Sequence, residues 1–262
     1  MSIKSVLSAS MLMLSMFSAD AFAAKIALMA GTHDMEFGNN RNSPNVGIDG
    51  LGHVYTKFSN SIFNWSSVLS SGFDAIVIEE NGGTNATSVA IANYITNGGR
   101  VIVAGYTGVN GNSSSCTGSN SLYGALFGVP YSTQCSYING NNSGIYSATA
   151  AILGTTFAGG PTGLSGPSSV HAITSTLAAN STVFYKSNTY GAQVVRTTLG
   201  LGDYFHIGFD YCCSIGASQE ADYYSVLNRA ITFNSSPASV PEPATLGLFG
   251  LGLLALRRLR KN

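Results

Sequence analysis

Continuous runs of apolar residues, bounded by polar turns, mark three buried strands in the first half of the chain. Each run is short, rich in Ile, Val and Ala, and lacks the polar alternation of a half-exposed strand. The runs are KIALMA at residues 25–30, DAIVI at 74–78 and RVIVA at 100–104. Strands of this kind are typical of a parallel sheet that is covered on both faces.

A helix is predicted between the second and third of these strands, over residues 84–97. Val89, Ala92 and Ile95 recur there at helical spacing. An Asn-Gly-Gly sequence at 97–99 supplies the left-handed residue that is favoured after a helix C-terminus. The order strand, helix, strand indicates an α/β fold.

The pattern changes in the second half, where strand-like runs alternate with turn-rich pieces. Gly, Ser and Asn dominate residues 108–121 and 136–144, which are predicted to be surface loops around a short element containing LYGALFGV. The predicted elements are strands at 182–186, 193–198 and 204–209 and a helix at 219–233, with Tyr223, Val226, Leu227, Ala230 and Ile231 on one face. The fold class is therefore a mostly parallel, doubly wound α/β sheet whose C-terminal part is completed by hairpins.

The first 23 residues are predicted to be a signal peptide. Lys4 gives a positive start, residues 6–17 are apolar, and Ala21-Phe22-Ala23 offers small residues for cleavage by signal peptidase after Ala23. The alternative, an uncleaved membrane anchor, is disfavoured because the apolar run is too short to span the bilayer core. The predicted organisation is thus a signal peptide at 1–23, one α/β domain at 24–236 and a separate tail at 237–262.

Charge excludes nucleic acid as a partner. Residues 24–236 hold seven basic and ten acidic side chains, a formal charge of −3, although the whole chain is neutral. No basic stripe is present to displace counterions from phosphates. Neither GxxxxGK[ST] nor a GxGxxG after the first strand occurs, so no nucleotide cofactor is expected.

Four cysteines form an even set in a chain that is predicted to reach an oxidising compartment. Three pairings are possible. A bond between Cys116 and Cys135 would close a Gly/Ser/Asn-rich excursion, and this is the pairing we predict. Cys212 and Cys213 then form a vicinal pair or remain thiols. No CxxC spacing accompanies them, so no zinc site is predicted.

Polar residues follow the predicted parallel strands, at the edge where ligands bind in doubly wound sheets. They form a candidate ligand crevice consisting of His33, Asp34, Glu36, Glu79, Glu80, Tyr106 and Asp210. Carboxylates in flexible loops suit Ca²⁺, and carboxylates beside aromatic faces suit sugar hydroxyls. The alternative is that these acids cap helices and turns.

Four segments carry a family resemblance. FDAIVIEENGG, NGGRVIVAGYTG, LFGVP and GAQVVRTTLGLGDYFHIGFDY resemble the class I glutamine amidotransferase-like, flavodoxin-like fold, and in particular its non-catalytic branches. Catalytic members of that family place a cysteine at a sharp turn after a central strand and a histidine after a later strand. Here the turn at 105–108 reads GYTG, and alternation puts His206 inside its strand. The resemblance therefore implies a domain without catalysis. The alternative is a secreted hydrolase that acts on carbohydrate or peptide through the crevice carboxylates.

The tail combines a short motif, an apolar stretch and a basic end. Residues 240–262 read VPEPATLGLFGLGLLALRRLRKN, in which residues 244–256 are 13 uncharged residues. As a helix these cover about 20 Å, less than the ~30 Å bilayer core, and extension to 240–259 lengthens the span. Basic residues would hold the end on the cytoplasmic side. One interpretation is a permanent tail anchor.

A more specific interpretation is that the tail resembles the PEP-CTERM sorting signal of Gram-negative bacteria. The residues that carry this resemblance are Pro241, Glu242, Pro243, Arg257, Arg258 and Arg260. It implies recognition by an exosortase, transient anchoring in the inner membrane, cleavage near the motif, and release to the cell surface or an exopolysaccharide-containing extracellular matrix. A Ser/Pro linker at 235–239 would give the membrane enzyme access to the motif.

Overall fold

The computed structural model describes most of the α/β domain. The described residues are 23–30, 47–59, 62–78, 88–104, 122–129, 133–137, 145–165, 169–173, 176–189, 191–209, 211 and 217–233. Four α-helices and eleven strands fall within these ranges. The strands are β1 (Lys25–Ala30), β2 (Val54–Ser59), β3 (Ala75–Ile78), β4 (Arg100–Ala104), β5 (Thr133–Tyr137), β6 (Ile145–Ala148), β7 (Gly163–Ser165), β8 (Ser169–Ile173), β9 (Ser181–Ser187), β10 (Gly191–Leu199) and β11 (Gly202–Ile207). The helices are α1 (Ile62–Ser70), α2 (Ser88–Thr96), α3 (Leu122–Phe127) and α4 (Ala217–Ile231).

All the strands belong to one mixed sheet. Its main order is β2-β1-β3-β4-β11-β10-β9-β6-β7, and β5 joins through β8, which pairs with β10. The five strands from β2 to β11 run parallel, whereas β10, β9, β6 and β7 continue the sheet in antiparallel pairings. The predicted α/β sheet with a hairpin-completed C-terminal part is confirmed.

Apolar residues cover both faces of the sheet. On one face the core includes Trp65 and Val68 of α1, Ile91 and Ile95 of α2, and Tyr123 of α3. On the other face it includes the residues predicted for the last helix, all buried on α4, namely Tyr223, Val226, Leu227, Ala230 and Ile231. Burial on both faces explains why β3 and β4 read as unbroken apolar runs.

The predicted helix before β4 is present as α2, but it turns a different face to the core. Ile91 and Ile95, one helical turn apart, are fully buried, whereas Val89 is 73% exposed. Of the residues noted at helical spacing, Ile95 is therefore in the core and Val89 is not. Val89 lies in the first turn, and the core contact is made by the i, i+4 pair of isoleucines.

The end of α2 is a Schellman motif, as the glycines indicated. Gly98 has φ of +102° and donates its N–H to the carbonyl of Ile95 at 2.9 Å. Gly99 donates to the carbonyl of Tyr94 at 3.0 Å. These two bonds satisfy carbonyls that the helix end leaves unpaired, and the chain then enters β4 directly.

Candidate functional site

The carboxyl ends of the central parallel strands lie level at one edge of the sheet. Met29 pairs with Ile78, Ile78 with Val103, and Ala104 with Ile207. The chain therefore leaves β1, β3, β4 and β11 at the same edge, which we call the carboxyl edge. This register supports the prediction that the segments after these strands start close together.

The side chains of the candidate crevice themselves lie outside the described residues. This applies to His33, Asp34, Glu36, Glu79, Glu80, Tyr106 and Asp210. Their gathering into one concave surface stays a prediction. Within the described ranges there is no group of three or more His, Cys, Asp or Glu residues that could hold a metal ion.

A buried amide at the carboxyl edge was not predicted from the sequence. Gln193 of β10 is 0% exposed, and its Nε2 donates to the carbonyl of Gly208 at 3.5 Å. The backbone N–H of Gly208 donates to the Gln193 carbonyl at 3.0 Å. The Oε1 atom of Gln193 is buried and has no hydrogen-bond partner among the described residues. The sequence signal was a single amide in the apolar run AQVV, which only the register places beside the end of β11.

His206 lies where alternation placed it, inside β11. It pairs with Val103 of β4 and Val195 of β10 and is 3% exposed. A catalytic histidine in the family that this chain resembles would instead lie beyond the strand. The position of His206 in the interior of the sheet is that of a core residue.

A charged cluster occupies the opposite edge, which we call the amino edge because the parallel strands begin there. Asp203 of β11 accepts from Arg196 Nε at 2.7 Å and from Arg100 Nη2 at 3.3 Å. Arg196 Nη2 also lies 2.6 Å from Asp203. Burial lowers the pKa of Arg100, while the charge and hydrogen bond of Asp203 act in the opposite direction. Because both arginines share one carboxylate, the cluster carries a net positive charge.

The same cluster fixes the end of α4. Arg100 Nη1 donates to the carbonyl of Ile231 at 2.6 Å and Nη2 to the carbonyl of Phe233 at 2.5 Å. The guanidinium of Arg196 lies 4.7 Å from the centre of the Phe233 ring. That ring also packs on Phe184 and Phe205. A cation at the carbonyl end of a helix is favoured by the helix dipole, so this arrangement is a structural clamp.

The start of β1 is fixed at the amino edge as well. The backbone N–H of Ala24 donates to His53 Nδ1 at 3.1 Å, and His53 Nε2 lies 2.8 Å from Asn228 Oδ1. Since Nδ1 accepts, the ring is neutral with its proton on Nε2, which donates to Asn228. Lys25 N–H donates to Asp74 Oδ2 at 2.7 Å. Ala24 is buried and Ala23 exposed.

The predicted Cys116–Cys135 bond is not observed and stays a prediction. Cys135 lies in β5, opposite His171 of β8, whereas Cys116 lies outside the described residues. Cys212 and Cys213 also lie outside them.

Comparison with known proteins identifies the tail. A model of the PEP-CTERM protein-sorting motif matches residues 239–261. The motif supports the prediction that the protein is exported and processed by an exosortase, with membrane anchoring before release to the surface. The predicted motif residues Pro241, Glu242, Pro243, Arg257, Arg258 and Arg260 fall within this match but outside the described residues. No helix in the described ranges is long and apolar enough to cross a membrane.

Solved structures are similar to the domain in fold alone. The cytoplasmic protein STM1381 of Salmonella typhimurium LT2 is 15% identical, with 79% of this chain and 98% of that chain covered and a TM-score of 0.50. The β-galactosidase of Bacillus circulans sp. alkalophilus is 12% identical, with 83% of this chain and 32% of that chain covered and a TM-score of 0.51. No curated protein matches this chain in sequence.

Proposed function

We propose that this chain is a cell-surface or extracellular-matrix protein of a Gram-negative bacterium, sorted by an exosortase, whose α/β domain has a non-catalytic binding or structural role. The observation that carries the proposal is the sorting motif at 239–261. Signal peptidase removes residues 1–23 during export. The exosortase then cuts near 241–243, and the domain is released toward exopolysaccharide or biofilm matrix.

The start of the folded domain supports the first cleavage. Ala24 is the first buried residue in the part of the chain that the structure describes, and its N–H already bonds to His53. Cleavage after the exposed Ala23 therefore removes nothing that the described core uses. It also converts the Ala24 N–H into an α-ammonium group, which is a stronger donor to His53 Nδ1 than a backbone amide.

The sheet order supports a flavodoxin-like domain. The order β2-β1-β3-β4 followed by the parallel strand β11 is the 2-1-3-4-5 order of that class. The domain belongs with the non-catalytic branch of the amidotransferase-like family. The turn after β4 has no cysteine, and His206 is buried within β11. Nucleophilic catalysis requires a nucleophile within reach of a base that a third group orients.

Ligand binding by the mature domain belongs at the carboxyl edge. The ends of four parallel strands meet there, where ligands bind in doubly wound sheets. The crevice carboxylates would bind sugar hydroxyls directly, or through Ca²⁺, which takes carboxylate oxygens as ligands.

Exopolysaccharide binding is the test of this role. The mature protein is sedimented with the exopolysaccharide of its host, with and without Ca²⁺. We expect co-sedimentation of the native protein and at least a five-fold loss for the triple variant Glu79→Gln, Glu80→Gln, Asp210→Asn. Asp222→Asn, which removes an exposed acid on α4, is the matched control and should bind normally. Turnover of a polysaccharide or peptide that the triple variant abolishes would instead establish the hydrolase alternative.

A further inference from the structure

Both membrane-targeting segments join the domain at its amino edge. The signal peptide precedes Ala24, whose carbonyl accepts from Val54 at the start of β2 and whose neighbour Lys25 begins β1. The sorting motif follows Phe233, whose carbonyl is bound by Arg100 at the start of β4. Only β3 lies between β1 and β4 in the sheet. Both exits therefore lie at the amino edge of the sheet.

The exit toward the sorting motif is fixed rather than loosely attached. Phe233 is 4% exposed, its ring packs against Phe157, Phe184 and Phe205, and its carbonyl accepts a charged hydrogen bond from Arg100. The tether, the segment that joins the domain to the apolar stretch at 244–256, therefore begins at Phe233. The fixed end of α4 does not unwind to lengthen it.

The tether is short compared with the domain. Eleven peptide steps join Phe233 to Ala244, the first residue of the apolar stretch. The segment contains Pro237, Pro241 and Pro243, and at about 3.1 Å per residue, the rise of a Pro-rich linker, eleven residues span roughly 34 Å. A domain of this size has a radius of gyration of about 17 Å and therefore a diameter of roughly 40 Å. Turning the carboxyl edge toward the bilayer would place Phe233 about a domain diameter away, which only a nearly fully stretched tether would allow.

We infer that the amino edge of the sheet is the membrane-facing surface of the anchored protein, and that the carboxyl edge with its candidate crevice points away from the bilayer. This rests on the proposed sorting function, because it takes the apolar stretch at 244–256 as the anchor. In this orientation the crevice is open to periplasmic ligands before the exosortase has cut the chain. Ligand binding and release from the membrane are then separate events.

Two exposed apolar residues provide matched probe positions. Leu201, in the turn between β10 and β11, is 86% exposed and donates its N–H to Thr96 at the end of α2, which places it at the amino edge. Val89 is 73% exposed in the first turn of α2, at the opposite end of that helix. The nine residues of α2 put about 12 Å of helix between the two ends.

The experiment measures the distance from each probe to the bilayer. The full chain is purified from an exosortase-deficient host with p-azidophenylalanine at position 201 or 89, labelled with a donor dye, and reconstituted into phosphatidylethanolamine and phosphatidylglycerol vesicles with a headgroup acceptor. We expect the rate of energy transfer from position 201 to exceed that from position 89 at least two-fold. Inserting 20 Gly/Ser residues between Ser236 and Pro237 should reduce the ratio toward one, because the longer tether no longer restricts rotation.

Vesicle flotation separates failure of the inference from failure of the sorting proposal. A chain that floats with the vesicles but shows equal transfer from both probes, or greater transfer from position 89, overturns the orientation alone. A chain that does not float has no membrane anchor in its tail, which overturns the sorting proposal and the orientation together.

Discussion

His53 and Asn228 face each other across 2.8 Å, from imidazole Nε2 to amide Oδ1, although 175 residues separate them in the sequence. Because His53 Nδ1 also accepts from Ala24, this one ring connects the first buried residue of the domain to its last helix. The start of the predicted mature chain is therefore held by contacts made across almost the whole domain.

This contact predicts energetic coupling between the two side chains. A double-mutant cycle with His53→Ala and Asn228→Ala should give a coupling free energy of about 0.5–1.5 kcal/mol, the usual contribution of a part-buried hydrogen bond. Urea unfolding of the mature protein measures it. Strictly additive losses would show that the two residues act independently.

Arg100 is predicted to be the most sensitive charged residue of the amino edge. Arg100→Met leaves Asp203 with one partner and removes the donors to Ile231 and Phe233. Arg196 still pairs with Asp203, so the cost is that of the lost charged hydrogen bonds, about 1.5–3 kcal/mol. Arg100→Lys keeps the positive charge but not the several N–H donors of the guanidinium, so it should lower the unfolding free energy by less than Arg100→Met does. Equal unfolding midpoints for Arg100→Met and the native protein would contradict the clamp.

Alkaline pH should destabilise the domain through its buried tyrosines. Burial raises the pKa of the Tyr211 phenol, and that of Tyr223, well above the ordinary value near 10. Both groups ionise in the unfolded chain first, so their contribution to stability is constant below about pH 10 and falls above it by up to about 1.4 kcal/mol per pH unit for each tyrosine.

Tyr211→Phe isolates one of these contributions. The variant should lose about 1 kcal/mol at pH 7, because the Tyr211 hydroxyl donates to the Tyr223 carbonyl at 3.1 Å. Between pH 10 and 11 its unfolding free energy should fall by about 1 kcal/mol less than that of the native protein. Denaturant curves at each pH provide the measurement, and an unchanged slope would refute the prediction.

Gly202 is predicted to tolerate no side chain. A Cβ atom there would lie 2.2 Å from the carbonyl oxygens of Ile95 and Gly99, where β11 begins against the end of α2. Gly202→Ala should therefore displace the backbone and cost several kcal/mol, within the range seen for overpacked cores. Leu201→Ala, at the exposed neighbouring position, should stay within about 0.5 kcal/mol in the same thermal melt. Similar losses for both variants would contradict the close approach.

The elements that were predicted correctly are those whose signal is local. β1, β3 and β4 are continuous apolar runs because they are buried on both faces, and α4 has a complete apolar face. The residues of β2, an edge strand, read VYTKFS, in which Thr and Lys interrupt the apolar residues, so the sequence contains no apolar run that predicts this strand. β5 and β8 are held by pairing with each other across the chain, which composition does not reveal.

The candidate sites divide in the same way, into features with a local sequence signal and features that depend on distant residues. The strand ends that define the carboxyl edge were placed by the sequence, because the direction of parallel strands follows from their connections. The sequence did not predict the contacts of Gln193, Asp203 and His53. Each of these contacts depends on strand register or on residues far apart in the chain. The choice of Ile91 over Val89 for the core likewise depends on which elements lie against α2.

Intact-mass spectrometry of the protein recovered from the surface or medium of its host tests sorting most directly. We predict a mature form that starts at Ala24 and ends close to residues 241–243, and a form that keeps residues 257–262 when the exosortase gene is deleted. Recovery of residues 257–262 on the mature protein from the normal host would contradict exosortase sorting and identify the tail as a permanent anchor.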